Sequence, residues 1–233
     1  MLKKLVSLLL VAVLLSISSF SSAFADDIAK GKITNISSYM TWIKENTNEE
    51  EAFKFVEQIK TLPLDKQEKF ISYLNNADLM TKALTEKLEP GETKYLENGD
   101  ISITLNETNQ SINFNPMIKS SSAIQYRRAT YTKDIEIFGI AILENVVWVD
   151  YSHDGNSILG IQGCDAVTTR NFIPVWSLSW SGLHSWGVGG TRAYASADIT
   201  FSVLYQGSIT LGAGELGVWG DISNLSGGWI KKL

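Results

Sequence analysis

The chain has 233 residues, with 20 lysines and arginines against 25 acids and a formal net charge of −5. So mild an acidity argues against nucleic-acid binding and against electrostatic adhesion to anionic lipid, and it is too small to imply disorder. Cys164 is the single cysteine, so no internal disulfide can form and the fold must rest on burial, for which the chain is long enough.

The first segment reads as an address. Met1-Leu2-Lys3-Lys4 is a short basic region, and Leu5 to Ile17 is an apolar core of signal-peptide length, short for a membrane span. Ala23-Phe24-Ala25 places small residues where a signal peptidase reads, so residues 1–25 are expected to be removed after Ala25. An uncleaved membrane-anchoring helix is the competing reading. No cysteine stands at the cleavage point and no second long apolar run follows. The mature chain is therefore expected to be secreted (extracellular), without a lipid anchor or a transmembrane segment.

Residues 26–88 are expected to form a helical region. Asn48 followed by Glu49-Glu50-Glu51 is a helix start, with Asn48 as cap and the acids at the positive end of the helix dipole. Ala52, Phe55, Val56, Ile59 and Leu62 recur at three- and four-residue spacings, and Pro63 ends that helix. Asp65 with Glu68 suggests a second cap, followed by Phe70, Ile71 and Leu74. Asn75-Asn76 breaks the pattern, and a last short helix runs from Ala77 to about Leu88. Tyr39, Trp42 and Ile43 are expected to join the same core from a helix further upstream.

Residues 89–126 read as a linker with one short strand. Pro90-Gly91 and Asn98-Gly99 are turn signals, and Ile101, Ile103 and Leu105 alternate with Ser102 and Thr104. That strand either extends the C-terminal sheet or forms a small hairpin. Asn109 to Ser122 is polar and is expected to be mobile. Arg127-Arg128 is either a dibasic processing site or, more simply, two surface arginines at a strand start.

Residues 127–233 are expected to be a β-sandwich domain, with a β-barrel-like domain as the alternative. Its nucleus is YTKDIEIFGIAILENVVWVDY, Tyr131 to Tyr151, read as two strands bent near Leu143-Glu144-Asn145 and closed by a turn at Asp154-Gly155-Asn156. Further strands are expected at Ser157–Gln162, Phe172–Trp180, Ala193–Tyr205, Ser208–Leu211 with Leu216–Asp221, and Gly228–Lys232, punctuated by glycines. Short strands with Gly-rich turns following helices make the fold class α+β by segregation, the sheets antiparallel.

Trp176 and Trp180 share one face of a strand, and His184 and Trp186 follow in SGLHSWGVGG. Such a row of rings either fills a sandwich core, the commoner use, or stacks on the C–H faces of sugars. Those four residues are the candidate ligand-binding set, and rings exposed in a row would mark the platform. Catalysis has little support: Cys164, two histidines and nearby acids carry no nucleophile motif, and no Gly-x-Ser-x-Gly elbow exists. Available carboxylates include Asp134, Glu136, Glu144, Asp198 and Glu215, whose separations would decide a glycosidase reading. Asp150, Asp154 and Asn156 lack calcium-loop spacing and read as turn residues, so no metal and no cofactor is expected.

The combination of LPLDKQEKFISYLNNADLM, the GDISI strand and ATYTKDIEIFGIAILENVVWVDYSHDGNSI resembles a loosely defined group of exported proteins of Gram-positive bacteria. In that group a Phe-Gly pair follows a charged strand, here Phe138-Gly139, and an aromatic-Ser/Thr-x-Asp/Asn-Gly turn follows the next, here Tyr151 to Gly155. The resemblance spans most of the chain beyond Ala25. It implies export and a helical region ahead of a β-sandwich, and it brings no catalytic residue with it. The leading expectation is a non-enzymatic binding protein for a cell-wall glycan or an envelope protein. The alternatives are an antibacterial or membrane-active protein whose helical region is a pro-segment, and a cell-wall hydrolase.

Overall fold

The computed structural model describes residues 33–113, 124–174, 176–204 and 208–232. The signal-peptide reading, with Ala25, and most of the polar run before Ser122 lie outside them.

Among the described residues, three asparagines start three of the four helices. Asn35 accepts from the Ser38 amide ahead of α1 (Ile36–Asn46), Asn48 from Glu51 ahead of α2 (Glu49–Thr61), and Asn76 from Leu79 ahead of α4 (Ala77–Thr85). The helix between them, α3 (Leu64–Leu74), starts differently: Pro63 holds the cap position without a side-chain bond, and Asp65 lies inside the first turn. Tyr39, Phe55 and Phe70, from α1, α2 and α3, form one ring cluster with centroids 5.8–6.4 Å apart. Asn75 ties the helices to the incoming chain, its side-chain amide bonding both the N–H and the C=O of Ile33.

Among the described residues, nine strands follow in two antiparallel sheets. The first sheet is a meander, β1 (Thr93–Leu96), β2 (Ile101–Ser111), β3 (Gln125–Ile137), β4 (Ile140–His153) and β5 (Ile158–Asn171). The second is β6 (Trp176–Trp186), β7 (Arg192–Leu204), β8 (Ser208–Asp221) and β9 (Ser226–Lys232), in that order. The expected α+β sandwich is the fold.

The details differ from expectation in three places. The segment read as a linker supplies an edge hairpin, and β2 pairs with β3 along its full eleven residues, from Ile101↔Ile137 to Ser111↔Arg127. The break in the Tyr131–Tyr151 run falls at Phe138-Gly139, where Ile137 pairs with Ile140 across a two-residue turn; both turn residues have positive φ, 53° and 76°. Around Leu143–Asn145 the chain stays in β4 and only its register slips, so Ile142 and Leu143 are both buried. Arg127 and Arg128 are not loose surface arginines. Arg127 is buried and donates to Asn109 and Ser111, while Arg128 makes a bidentate pair with Asp150 at 2.6 and 2.7 Å.

The sheets meet through tyrosines and glycines. Tyr151 lies against Gly220 and Tyr131 against Gly228, so close that a Cβ on either glycine would fall 2.6 Å or less from the ring. The helices pack on the same core. Tyr39 donates to the Phe172 carbonyl at 2.6 Å, and Phe55 meets the Phe172 ring at 4.3 Å. From the inner side of β3, Lys133 reaches the end of α4 and donates to the carbonyls of Leu84 and Glu86.

Candidate functional site

Of the four residues singled out in the sequence, two are structural. Trp176 is 6% exposed and belongs to the core. Trp180 is half-buried, and its indole N–H donates to Thr168 on β5, which in turn donates to the buried Asn145. Those bonds tie β6 to the first sheet. Trp176 and Trp180 thus take the core use, the commoner one for such rings, and no exposed row runs along β6; His184 and Trp186, at its far end, face outward.

Trp186 and Tyr194 are register partners on β6 and β7, and their rings stack at 5.0 Å with an interplanar angle of 4°. His184 stacks on Trp186 at 4.9 Å. Its two ring nitrogens are occupied: Nδ1 lies 2.8 Å from the Gly182 carbonyl and Nε2 3.2 Å from the Ser196 hydroxyl. A carbonyl can only accept, so Nδ1 is the donor to Gly182, and Nε2 shares a hydrogen bond with the Ser196 hydroxyl. Those two bonds and the stack on Trp186 fix the orientation of the imidazole.

Trp229 of β9 closes the cluster, with centroids 6.1 Å from Trp186 and 6.4 Å from Tyr194 at angles near 60°. It reaches them because its register partner is Gly217: a Cβ there would sit 2.1 Å from the indole, so the ring lies over bare backbone. Trp219 lies over Gly227 in the same way, one row along. Two tryptophans and two glycines thus alternate across β8 and β9, each ring lying over the glycine of the neighbouring strand.

Polar groups frame these rings. The Trp229 indole donates to Glu215 at 2.6 Å, and Lys231 lies 3.5 Å from the same carboxylate. Arg192 stacks over Trp219 with its guanidinium carbon 4.0 Å from the ring centroid. Trp186 is 40% exposed; Tyr194, Trp219 and Trp229 are half-buried. The arrangement sets apolar rings, stacked on one another, beside hydrogen-bonding groups of both signs on the outer side of the sheet, which suits a ligand that is itself half apolar and half polar.

Tyr194, Trp219, Trp229 and Arg192 were not singled out in the sequence. Two signals existed: the alternation of β7 puts Tyr194 and Arg192 opposite the alanines, and each tryptophan lies two residues from a glycine, in GVWGD and SGGWI. What one sequence lacks is the β8–β9 register that sets each ring over the other strand's glycine.

Other candidates are accounted for. Cys164 is half-buried and packs against the core, and neither histidine bonds to it. Asp154 accepts the amides of Asn156 and Ser157, which holds its carboxyl below the usual range, and Asp150 is paired to Arg128. Among the described residues no three His, Cys, Asp or Glu side chains gather as a metal site. Asp134 and Glu144 are cross-strand partners on the first sheet, and burial, followed by Glu144, raises the Asp134 carboxyl to about 6. No described helix is long and apolar enough to cross a membrane, which says nothing of strand-built spans.

Comparison with known proteins finds no match to a family model, a curated protein or a solved structure.

Proposed function

We propose that this is a secreted, non-enzymatic binding protein whose four-stranded sheet presents its outer face to a glycan of the cell envelope. The observation that carries this reading is the outward-facing cluster of exposed Trp186 with half-buried Tyr194 and Trp229, seated on a glycine-relieved sheet and edged by Glu215, Lys231 and Arg192. Pyranose rings present an apolar C–H face and a rim of hydroxyls, the complement of this surface. A rigid sheet also holds the rings in place before the ligand arrives, which limits the entropy lost on binding. The test is retention of the folded chain on purified cell wall and on a glycan array, repeated with Trp186→Ala and Trp229→Ala. Retention should fall at least about tenfold in each variant, since aromatic stacking contributes on the order of 1 kcal/mol or more beyond buried area. No retention of the folded wild-type chain on either support would defeat the reading.

One observation favours a second reading, adhesion to a membrane surface. Val188 and Leu225 are 62% and 61% exposed, on neighbouring turns at one end of the sandwich. The Gly189 amide and Gly190 carbonyl bond to Ile158, and the Ile222 amide to Thr191, which brings those turns together. Co-sedimentation with neutral phospholipid vesicles, lost in a Val188→Ser/Leu225→Ser variant, would support it over the glycan reading.

A further inference from the structure

Two arginines in this chain make the same contact, and only one has its charge answered. On the first sheet the Arg128 guanidinium lies 4.0 Å from the Trp148 ring centroid, and on the second Arg192 lies 4.0 Å from that of Trp219. Asp150 takes Arg128 through two parallel N–H bonds, so that stack is closed. Arg192 is exposed, and among the described residues its side chain makes no hydrogen bond or ion pair.

The acids that share its face are committed elsewhere or lie far off. Asp221, the register partner of Arg192, is buried, and its Oδ1 accepts the backbone amides of both Ser223 and Leu225 at 2.8 and 2.9 Å, which turns it into the β8–β9 turn. Glu215 is held by Trp229 and Lys231. Asp198 lies six residues along β7, about 20 Å at strand rise. The stack on Trp219 restrains the guanidinium while leaving its N–H edge open, and that planar fork matches a carboxylate through two parallel bonds.

Tyr194 stands on the same face of β7, two residues on, and opens the ring cluster. We infer that this surface selects a carboxylated sugar of the uronic-acid type, its ring against the aromatic cluster and its carboxylate on Arg192. This inference rests on the glycan reading above and narrows it. Arg192 would be the specificity-determining residue, and the rings would supply sequence-tolerant affinity.

The test uses the full chain, Arg192→Gln, Arg192→Lys and Trp186→Ala on an array of matched uronic-acid and neutral oligosaccharides, with the fold of each variant checked by circular dichroism. Arg192→Gln should weaken the uronic-acid signals at least about tenfold and any neutral signal by a distinctly smaller factor. Arg192→Lys should recover only part of the loss, because an ammonium lacks the fork. Trp186→Ala should weaken both classes. Uronic-acid binding that survives Arg192→Gln, or binding confined to neutral glycans, overturns the carboxylate inference and leaves the platform standing. No binding to any oligosaccharide by the folded wild-type chain overturns both.

Discussion

Gly217 and Gly228 sit on neighbouring strands and face opposite sides of one sheet. A Cβ on Gly228 would fall 2.0 Å from the Tyr131 ring, which is fully buried between the sheets and has nowhere to go. Gly228→Ala is therefore an overpacking change and should cost at least about 2 kcal/mol, read as a lower midpoint in denaturant melts. A Cβ on Gly217 would fall 2.1 Å from Trp229, but that ring is half-exposed and can swing into solvent. Gly217→Ala should change stability by less than about 1 kcal/mol while shifting Trp fluorescence to the red and abolishing glycan retention. Equal loss of stability in the two variants would mean that the outer rings are structural. Asp134 makes a different residue-scale prediction. Its folded pKa, about 6, lies above the ordinary 3.8, so the folded state binds the proton more tightly. Its contribution to stability is thus lost as pH rises from about 4 to about 6 and stays lost above. Asp134→Asn should stabilise the chain at pH 7.5 by about 1 kcal/mol, after discounting for solvent screening, and by nothing measurable near pH 4. An equal effect at the two pH values would place the strain elsewhere.

Among the elements, α4 depends most on a distant partner. Its last carbonyls are met by Lys133, which projects from β3 and is 1% exposed. Burial lowers that amine from 10.5 to about 7. Below pH 7 the amine is charged in both folded and unfolded chains, and the full cost of burying the charge is present. Between pH 7 and 10.5 the unfolded chain holds the extra proton, so stability should rise with pH. Denaturant melts at pH 7 and pH 9 should show the wild-type chain more stable at pH 9 and Lys133→Met without that slope. At pH 9 the variant should be about 1–3 kcal/mol less stable, because two carbonyls lose their donor. A wild-type chain insensitive to pH in that window would mean that the helix-end carbonyls hold the proton on. Nothing in the local sequence announces this contact: Lys133 reads as an ordinary charged residue on a half-exposed strand, and its burial follows from a helix that ends 48 residues earlier. The start of α2 was legible because a cap is local, an asparagine and an amide three residues on, whereas Asn76 reads in the sequence only as a break and Asp65 reads wrongly as a cap. The Phe138-Gly139 turn was not read as such because Phe rarely takes positive φ. It does so here with its ring packed on Tyr73 and under Lys66, a contact supplied by α3. The candidate surface was half legible for a related reason: Trp186 and His184 lie in one segment, whereas Trp229 joins them only through strand register.

At the scale of the whole molecule, the arrangement favours a structural layer over a pro-segment. A helical region that is cut away to release an effector should meet the sandwich loosely and be joined to it by an accessible site. Here α1 and α2 place Tyr39 and Phe55 on Phe172, Tyr73 of α3 bonds Asp100 at 2.7 Å, and α4 ends on Lys133. A chain beginning near Ala129 would also lack β1 and β2, which leaves the β3 edge bare from Ile137 back to Ala129. The dibasic pair is guarded in its own right. Arg127 is buried, Arg128 is held by Asp150, and the strand that carries them is hydrogen-bonded on both sides. A protease needs an extended, unpaired segment, so cleavage there would wait for unfolding of the sheet. Native trypsinolysis followed by intact-mass spectrometry should therefore yield no fragment starting at Arg128 or Ala129, while the same digestion in denaturant should cut both sites. A chain truncated to residues 89–232 should expose Phe172 and the ends of β3 and β4, bind the hydrophobic dye ANS and lose its cooperative melt. A discrete, folded fragment starting at Ala129 from the native chain would restore the pro-segment reading, and would show that five strands are not required where three suffice.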